Sequence, residues 1–493
     1  MKLEDIVRDC GISETTGNMQ TEISSICSDS RKATAGALFI AVRGHAGDGH
    51  KFAAQALQNG AAAILYEDPE ALKEACPSIM ESGVPLVHVY NSRYAEALAA
   101  DAFFGHPSRR LTLVGITGTN GKTTTVTLLY SLFTSLGFRC GLLSTIANYV
   151  GDKRTETANT TSDPITINSL LKEMADSGCR YCFIEVSSIG LEQDRVSGLH
   201  FKAGIFSNIT HDHLDYHKTF AEYLRCKKLF FDMLPKGAYA ITNIDDKNGR
   251  VMVQNTKAKI VTYSCRNMAD HTCRIIEEDF GGMQLRIDGT DVWTRLIGRH
   301  NAYNLLAVYT VSILIGAEKE DILKGISLLG PVNGRLETIH GPKGLTVIID
   351  YAHTPDALDN VLGTLRDIGK DTFITCLFGC GGDRDRTKRP EMAAVAEKYA
   401  DRIIITSDNS RTEKTADIME DIRKGLSAKG MIKSISIEDR EQAIRTAILT
   451  APQGSIILLA GKGHETYQIL GTEKRHFDEH EIVRKIFAQI QEA

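Results

Sequence analysis

Leu111-Thr112-Leu113-Val114-Gly115-Ile116-Thr117-Gly118-Thr119-Asn120-Gly121-Lys122-Thr123-Thr124 is the stretch on which the fold turns. Residues 111–116 form an apolar run closed by a Gly-rich turn, and read as a buried strand. Val126, Leu129, Phe133 and Leu136 then recur at helical spacing. Strand, glycine turn and helix in that order are what a phosphate-binding loop needs. Glycines let backbone N–H groups face phosphate oxygens, and the helix adds its positive end. Gly118, Thr119, Asn120, Gly121, Lys122, Thr123 and Thr124 are therefore the candidate ATP contacts. Lys122 would reach the terminal phosphates and the Thr123 hydroxyl would take Mg²⁺. Gly115 lies one residue too early for the usual loop, and Ile116 holds the place of its first glycine.

Outward from this loop, residues 183–186 and 203–206 read as further strands, and so do 346–349, 373–378, 403–406 and 456–459. Short apolar runs alternating with helical patterns predict parallel sheets covered by helices. Two breaks, Gly105-His106-Pro107-Ser108-Arg109-Arg110 and Gly330-Pro331-Val332-Asn333-Gly334, favour turns over regular structure. The reading is three α/β domains at 1–108, 109–333 and 334–493: a small N-terminal one, a central P-loop ATPase-like one and a C-terminal Rossmann-like one. A chain of 493 residues has room for three cores. Ligands of open α/β sheets bind at the carboxyl ends of strands, so chemistry is sought there.

The net charge of −5 argues against a nucleic-acid partner. No apolar run is long enough for a bilayer, and the early acids Glu4 and Asp5 do not fit a signal peptide. Eleven scattered cysteines, with one Cys179-x-x-Cys182 pair, fit a reduced, cytoplasmic protein.

Glu185 sits in an apolar strand, where a charge is costly unless paired or metal-bound. An ion pair is one reading; with a phosphate loop upstream, a magnesium ligand is the better one. Asn208-Ile209-Thr210-His211-Asp212-His213-Leu214-Asp215-Tyr216-His217 follows the next strand. His211-x-His213 has no distant partner pair at zinc spacing. Solvated histidines at a polar helix start are the bland alternative, and a role near Mg²⁺-ATP is preferred to both.

Taken together, the chain resembles the Mur ligases of bacterial cell-wall synthesis. The resemblance rests on the 117–124 loop, Glu185-Val186-Ser187-Ser188, Asp212-His213-Leu214-Asp215-Tyr216-His217 and Gly298-Arg299-His300-Asn301-Ala302-Tyr303-Asn304. Gly334-Arg335-Leu336-Glu337, Asp350-Tyr351-Ala352-His353 and Gly461-Lys462-Gly463-His464-Glu465 follow in family order. Asp29-Ser30-Arg31 and Gly44-His45-Ala46-Gly47-Asp48-Gly49-His50 resemble the branch that adds the third amino acid of the peptide stem.

The resemblance implies an ATP-dependent ligase that uses Mg²⁺ and joins meso-diaminopimelate to the D-glutamate γ-carboxylate of UDP-N-acetylmuramoyl-L-alanyl-D-glutamate. It implies small-molecule partners only and no membrane, and a monomer is expected. Ser30, His45, Ala46 and Gly47 would bind the uridine-diphosphate end. Asn159, Thr160, Thr161, Ser187, Gln193 and Arg195 would hold the muramoyl-dipeptide. His300, Asn301, Asn304 and Arg335 would lie near the nucleotide, with Asp350 and His353 reaching the phosphates. Glu185 and His213 would serve the metal, as would Lys227, which matches the lysine the family carbamylates with CO₂. Ser407-Asp408-Asn409-Ser410-Arg411 resembles the Asp-Asn-Pro-Arg motif of diaminopimelate-adding members, with Ser410 in place of Pro. Arg411 would meet the distal carboxylate in a two-pronged contact. Arg384 would hold the other carboxylate, and Asp408, Asn409, Gly461 and Glu465 the ammonium groups. The same chemistry with L-lysine, a folylpolyglutamate synthetase-like ligase, an ATP-driven switch and an inactive binding paralogue are the rival readings.

Overall fold

The computed structural model describes all residues except 45, 46, 80, 81, 158 and 493. Three main sheets follow one another along the chain, and a small antiparallel pair, Tyr467–Leu470 with Glu473–His476, comes after them. The first has the order Ile12–Thr16, Leu86–Val89, Ala61–Tyr66, Ala37–Ile40, Ser25–Cys27 and is parallel but for its first strand. The second has eleven strands. Seven run parallel through its middle: His271–Asp279, Lys259–Ser264, Tyr239–Asn243, Phe201–Phe206, Thr112–Thr117, Tyr181–Glu185 and Cys140–Leu143. Antiparallel strands extend it at both ends, so this sheet is mixed and not purely parallel as the alternation predicts. Those added strands are short or polar on one face, a pattern that strand-helix alternation does not register. The third sheet runs Glu337–His340, Thr346–Asp350, Ile456–Ala460, Ile374–Phe378, Arg402–Ile405, Ser434–Ser436, with only the first pair antiparallel.

Thr112–Thr117 is buried on both faces. Val114 and Ile116 join Val126, Leu129 and Phe133 of the helix Lys122–Ser135 in one cluster. Leu113 joins Phe230 and Phe231 of the helix Phe220–Asp232 in another. The early glycine is explained here. A Cβ on Gly115 would lie 2.6 Å from Phe230 and 2.8 Å from Phe201. Gly115 therefore serves helix packing, not phosphate binding, and it lets the helix that carries Lys227 lie close to the sheet.

The parallel order sets the site. The strands ending at Glu185, Thr117 and Phe206 are neighbours, so the loops that follow them open on one edge. No helix among the described residues is long and apolar enough to cross a membrane.

Candidate active site

The phosphate loop turns on two glycines with positive φ, Gly118 at 153° and Gly121 at 88°. Gly121 caps the helix Lys122–Ser135 without a side-chain acceptor, which leaves the first helical N–H groups for an anion. The loop is held from the neighbouring strand's end: Asn120 N–H donates to Asn208 Oδ1 at 2.9 Å, and Ser207 Oγ donates to the Asn120 carbonyl at 2.7 Å. Thr119 Oγ1 lies 3.0 Å from the Tyr223 hydroxyl.

Two lysines converge on this loop. Lys122 Nζ donates to the Gly118 and Thr119 carbonyls at 2.8 and 2.9 Å, and Lys227 Nζ donates to the same Gly118 carbonyl at 2.8 Å. Lys227 is 1% exposed. Burial and the Lys122 charge push its ammonium well below the usual lysine range, against the pull of Asp212. Burial also lowers Lys122, while Glu185 and Asp212 pull the other way. His213, in the left-handed region at φ 54°, is lowered by burial and by Lys227 and Lys122, although Asp212 opposes them. Glu185, Asp212, His213 and the two lysines thus share one electrostatic cluster. Its carboxylates and the Thr123 hydroxyl are the hard oxygen donors that suit magnesium.

Glu185 is fully buried at its strand end and accepts from Thr145 N–H and Oγ1 at 2.8 and 3.1 Å. Thr160 accepts from Thr145 Oγ1 at 3.1 Å. Thr161 Oγ1 contacts Ser187 Oγ at 3.0 Å, and Arg195 Nη1 donates to the Thr161 carbonyl at 2.6 Å. Arg195 also grips Gln193 Oε1 through Nε and Nη2 at 3.1 and 2.7 Å. Thr160, Thr161, Ser187, Gln193 and Arg195 therefore share one wall beside Glu185. Asn159 is exposed, its carbonyl accepting from Thr157. In the first sheet's domain Ser30 Oγ donates to Gln55 Oε1 at 2.7 Å. A Cβ on Gly47 would meet nothing within 4 Å among the described residues, and His45 and Ala46 lie outside them. His50, in the same motif, is structural: its Nε2 accepts the Glu67 and Asp68 N–H groups at 3.1 Å each.

A cleft of about 380 Å³ lies between the central and third sheets. Asn120, Gly121 and Thr124 line it, with His300, Asn301, Asn304, Arg335, Asp350 and His353. Asn301 donates to the Ile297 carbonyl at 2.8 Å and accepts from Asn304 at 3.0 Å. Asn304 Oδ1 sits 2.5 Å from where a Gly121 Cβ would be. Arg335 lies over the Tyr351 ring at 4.7 Å and reaches Thr123 Oγ1 at 3.4 Å. Asp350 accepts from Leu336 N–H and Ala352 N–H at 2.7 Å each, and burial raises its carboxyl. Burial brings His300 and His353 down to about 4, so both rings are neutral near pH 7. The sequence reading missed Asp356, which accepts from Asn120 Nδ2 at 2.9 Å and ties the loop to the third domain. It also missed Asp245, which accepts from the Tyr303 hydroxyl at 2.7 Å at the cleft wall. Neither residue lies in a motif.

At the carboxyl edge of the third sheet, Asp408, Asn409 and Ser410 are buried. Asn409 Nδ2 donates to Glu465 Oε2 at 2.9 Å, and Lys462 Nζ meets the same oxygen at 2.9 Å. Gly461 packs on Asp408: a Cβ there would lie 2.8 Å from Asp408 Oδ2. Arg411 Nη1 donates to the Gly382 carbonyl at 2.9 Å, and Arg384 donates to the Asp383 carbonyl at 3.1 Å. Lys462 was visible in the Gly-Lys-Gly-His-Glu motif but not assigned; it is wholly buried.

Fold and site define an α/β protein of three main sheets whose phosphate loop faces the third across a cleft. The chain belongs to the Mur ligase family. Residues 22–117 match the Mur ligase family catalytic domain, 116–312 the Mur ligase middle domain and 334–463 the Mur ligase glutamate ligase domain. The UDP-N-acetylmuramoyl-L-alanyl-D-glutamate--2,6-diaminopimelate ligase of Bacteroides fragilis is 48% identical over 490 residues, covering 99% of both chains. A solved ligase of that same name has a TM-score of 0.70 at 30% identity, covering 100% of this chain and 99% of its own. The MurF ligase of Thermotoga maritima, solved with ADP, shares the fold with a TM-score of 0.63 at 17% identity, over 96% of this chain and 99% of its own.

Proposed function

We propose that this chain is the ATP-dependent ligase that adds meso-2,6-diaminopimelate to the D-glutamate γ-carboxylate of UDP-N-acetylmuramoyl-L-alanyl-D-glutamate, a step in peptidoglycan precursor synthesis. Residues 1–108, 109–333 and 334–493 act as its nucleotide-sugar, ATP and amine domains. The observation that carries the reading is the grouping of Asp408, Asn409, Arg411, Gly461 and Glu465 at one sheet edge. Full-length likeness to ligases of that name supports it.

The γ-carboxylate, held by Thr160, Thr161, Ser187, Gln193 and Arg195, attacks the γ-phosphorus of ATP. ADP leaves and an acyl phosphate forms. The amine then attacks the acyl carbon, and the tetrahedral adduct expels phosphate. Phosphorylation is needed because carboxylate oxygen is a poor leaving group. Lys122 and the helix N-terminus neutralise charge on the transferring phosphoryl group, and the walls bring the reactants together. Thr123, Glu185, His213 and a carbamate on Lys227 would hold magnesium, which neutralises phosphate charge when bound. The Lys227 environment favours the carbamate. A buried neutral amine adds to CO₂ and loses a proton. Burial and the Lys122 charge favour the neutral amine, and the anion it forms then attracts Lys122 at the shared Gly118 carbonyl.

The test is ADP release with the nucleotide-sugar dipeptide and a panel of amines. Steady-state release should need both the dipeptide and diaminopimelate, with lysine a poor substitute. Continued release beyond the first turnover without an amine, or equal use of lysine, refutes the reading.

A further inference from the structure

Arg440 and Glu479 form an ion pair that the reaction above does not use. Arg440 opens the helix Arg440–Leu449 and Glu479 opens the helix Glu479–Glu492. Nε and Oε1 are 2.8 Å apart, and both side chains are wholly buried. The two remaining guanidinium nitrogens leave the pair for backbone. Nη1 donates to the Ser407 carbonyl at 3.1 Å and Nη2 to the Ala460 carbonyl at 2.9 Å. Those two residues stand immediately before Asp408 and Gly461, where the two amine-site loops begin.

The strands that launch these loops, Arg402–Ile405 and Ile456–Ala460, are not neighbours, because Ile374–Phe378 lies between them. Sheet hydrogen bonds to that shared strand fix the two strand ends about 9–10 Å apart, but do not fix the loops that leave them. The Asn409–Glu465 contact does join them, but through the residues that would face the ligand. Arg440 joins them from behind. Stability alone is a poor reason for this pair. Taking two charges into the interior is costly, and apolar packing often does as well. Among the described residues, Glu479 Oε2 is moreover buried without a hydrogen-bond partner.

We propose that Arg440, held by Glu479, is a positioning residue that sets the separation of residues 407–411 and 461–465, and so the length of amine that the site accepts. The inference rests on reading those loops as the diaminopimelate site. The charge adds to the geometry. Burial alone would raise the Asp408 carboxyl, but Lys462 and Arg440 hold it below its ordinary range, ready for an ammonium group.

Two variants test this: Arg440→Lys, which keeps the charge but loses the fork, and the double variant R440M/E479L, which leaves no unpaired charge. Both are assayed as the full chain, with circular dichroism to check folding. KM for diaminopimelate should rise at least tenfold and preference over lysine should fall at least tenfold. KM for ATP and for the nucleotide-sugar dipeptide should stay within twofold. Amide hydrogen exchange of residues 407–411 and 461–465 should quicken in the same samples. Unchanged amine kinetics, an equal rise in all three KM values, or unchanged exchange in those loops overturns the proposal. Should the double variant not fold, Arg440→Lys decides alone. A wild type that releases no ADP with diaminopimelate refutes the ligase reading instead, and loop exchange still decides whether Arg440 joins the loops.

Discussion

Lys122 and Lys227 donate to one carbonyl oxygen, that of Gly118, from two separate helices, Lys122–Ser135 and Phe220–Asp232. Two ammonium groups so close repel, and at 1% exposure Lys227 has little water to screen it. Lys227→Ala should lower kcat by roughly two to three powers of ten, the loss typical of one group that stabilises transition-state charge. Added short carboxylic acids should restore part of it, and CO₂-depleted buffer should slow the wild type. No rescue together with no CO₂ effect would rule out the carbamate. Arg411 belongs to the same scale. A charged hydrogen bond is worth about 1.5–3 kcal/mol, so Arg411→Ala should cut the preference for diaminopimelate over lysine by about one to two powers of ten. The ratio of kcat/KM values measures this, and an unchanged ratio would show that Arg411 does not read the second carboxylate.

Among the elements, the helix Phe220–Asp232 deserves the closest test, since it places Lys227 by resting Phe230 against the bare backbone of Gly115. Gly115→Ala would put a methyl carbon into space 2.6 Å from the Phe230 ring. Overpacking of this kind costs about 1–3 kcal/mol. The denaturant midpoint should fall accordingly, and kcat should fall with it as the helix moves. A stable but slow variant, or a destabilised but fully active one, would separate packing from lysine placement.

Across the whole molecule, the apolar clusters mostly respect the three sheets, with few residues crossing from one to another. Unfolding should therefore take more than one calorimetric step. A non-hydrolysable ATP analogue at about 100 times its Kd should stabilise the steps of the central and third domains by about 2.7 kcal/mol. The N-terminal step should not move; a uniform shift would mean that the chain unfolds as one unit. Acid acts at this scale too. His353, at about 4 in the fold against an ordinary 6.5, binds fewer protons folded than unfolded between those values. Its contribution to stability is full above pH 6.5 and is lost as pH falls toward 4. Urea midpoints at pH 7 and 4.5 should therefore diverge less in His353→Gln than in wild type; equal divergence would show that His353 titrates normally.

Residues 117–124 were legible because a phosphate loop is made by chain neighbours: two glycines curl the backbone and the next helix supplies the N–H groups. The α/β alternation was legible for the same reason, since strand and helix periods are local. The amine loop at 407–411 could be read only through its likeness to a family motif. Other features had no local signature. Gly115 reads as a misplaced loop residue in sequence, and only Phe230 packed against it gives its reason. Lys227 and Lys228 are indistinguishable by neighbourhood in sequence, yet only Lys227 reaches the Gly118 carbonyl, while Lys228 pairs with Asp232 at 2.6 Å. Asp356 meets Asn120 across 236 positions, and Arg440 ties loops from strands that are not neighbours. Local pattern specifies which elements form, because it depends on backbone geometry within a few residues. Which side chains become buried, charged and mutually close depends on contacts between distant segments, and those exist only once the sheets have packed.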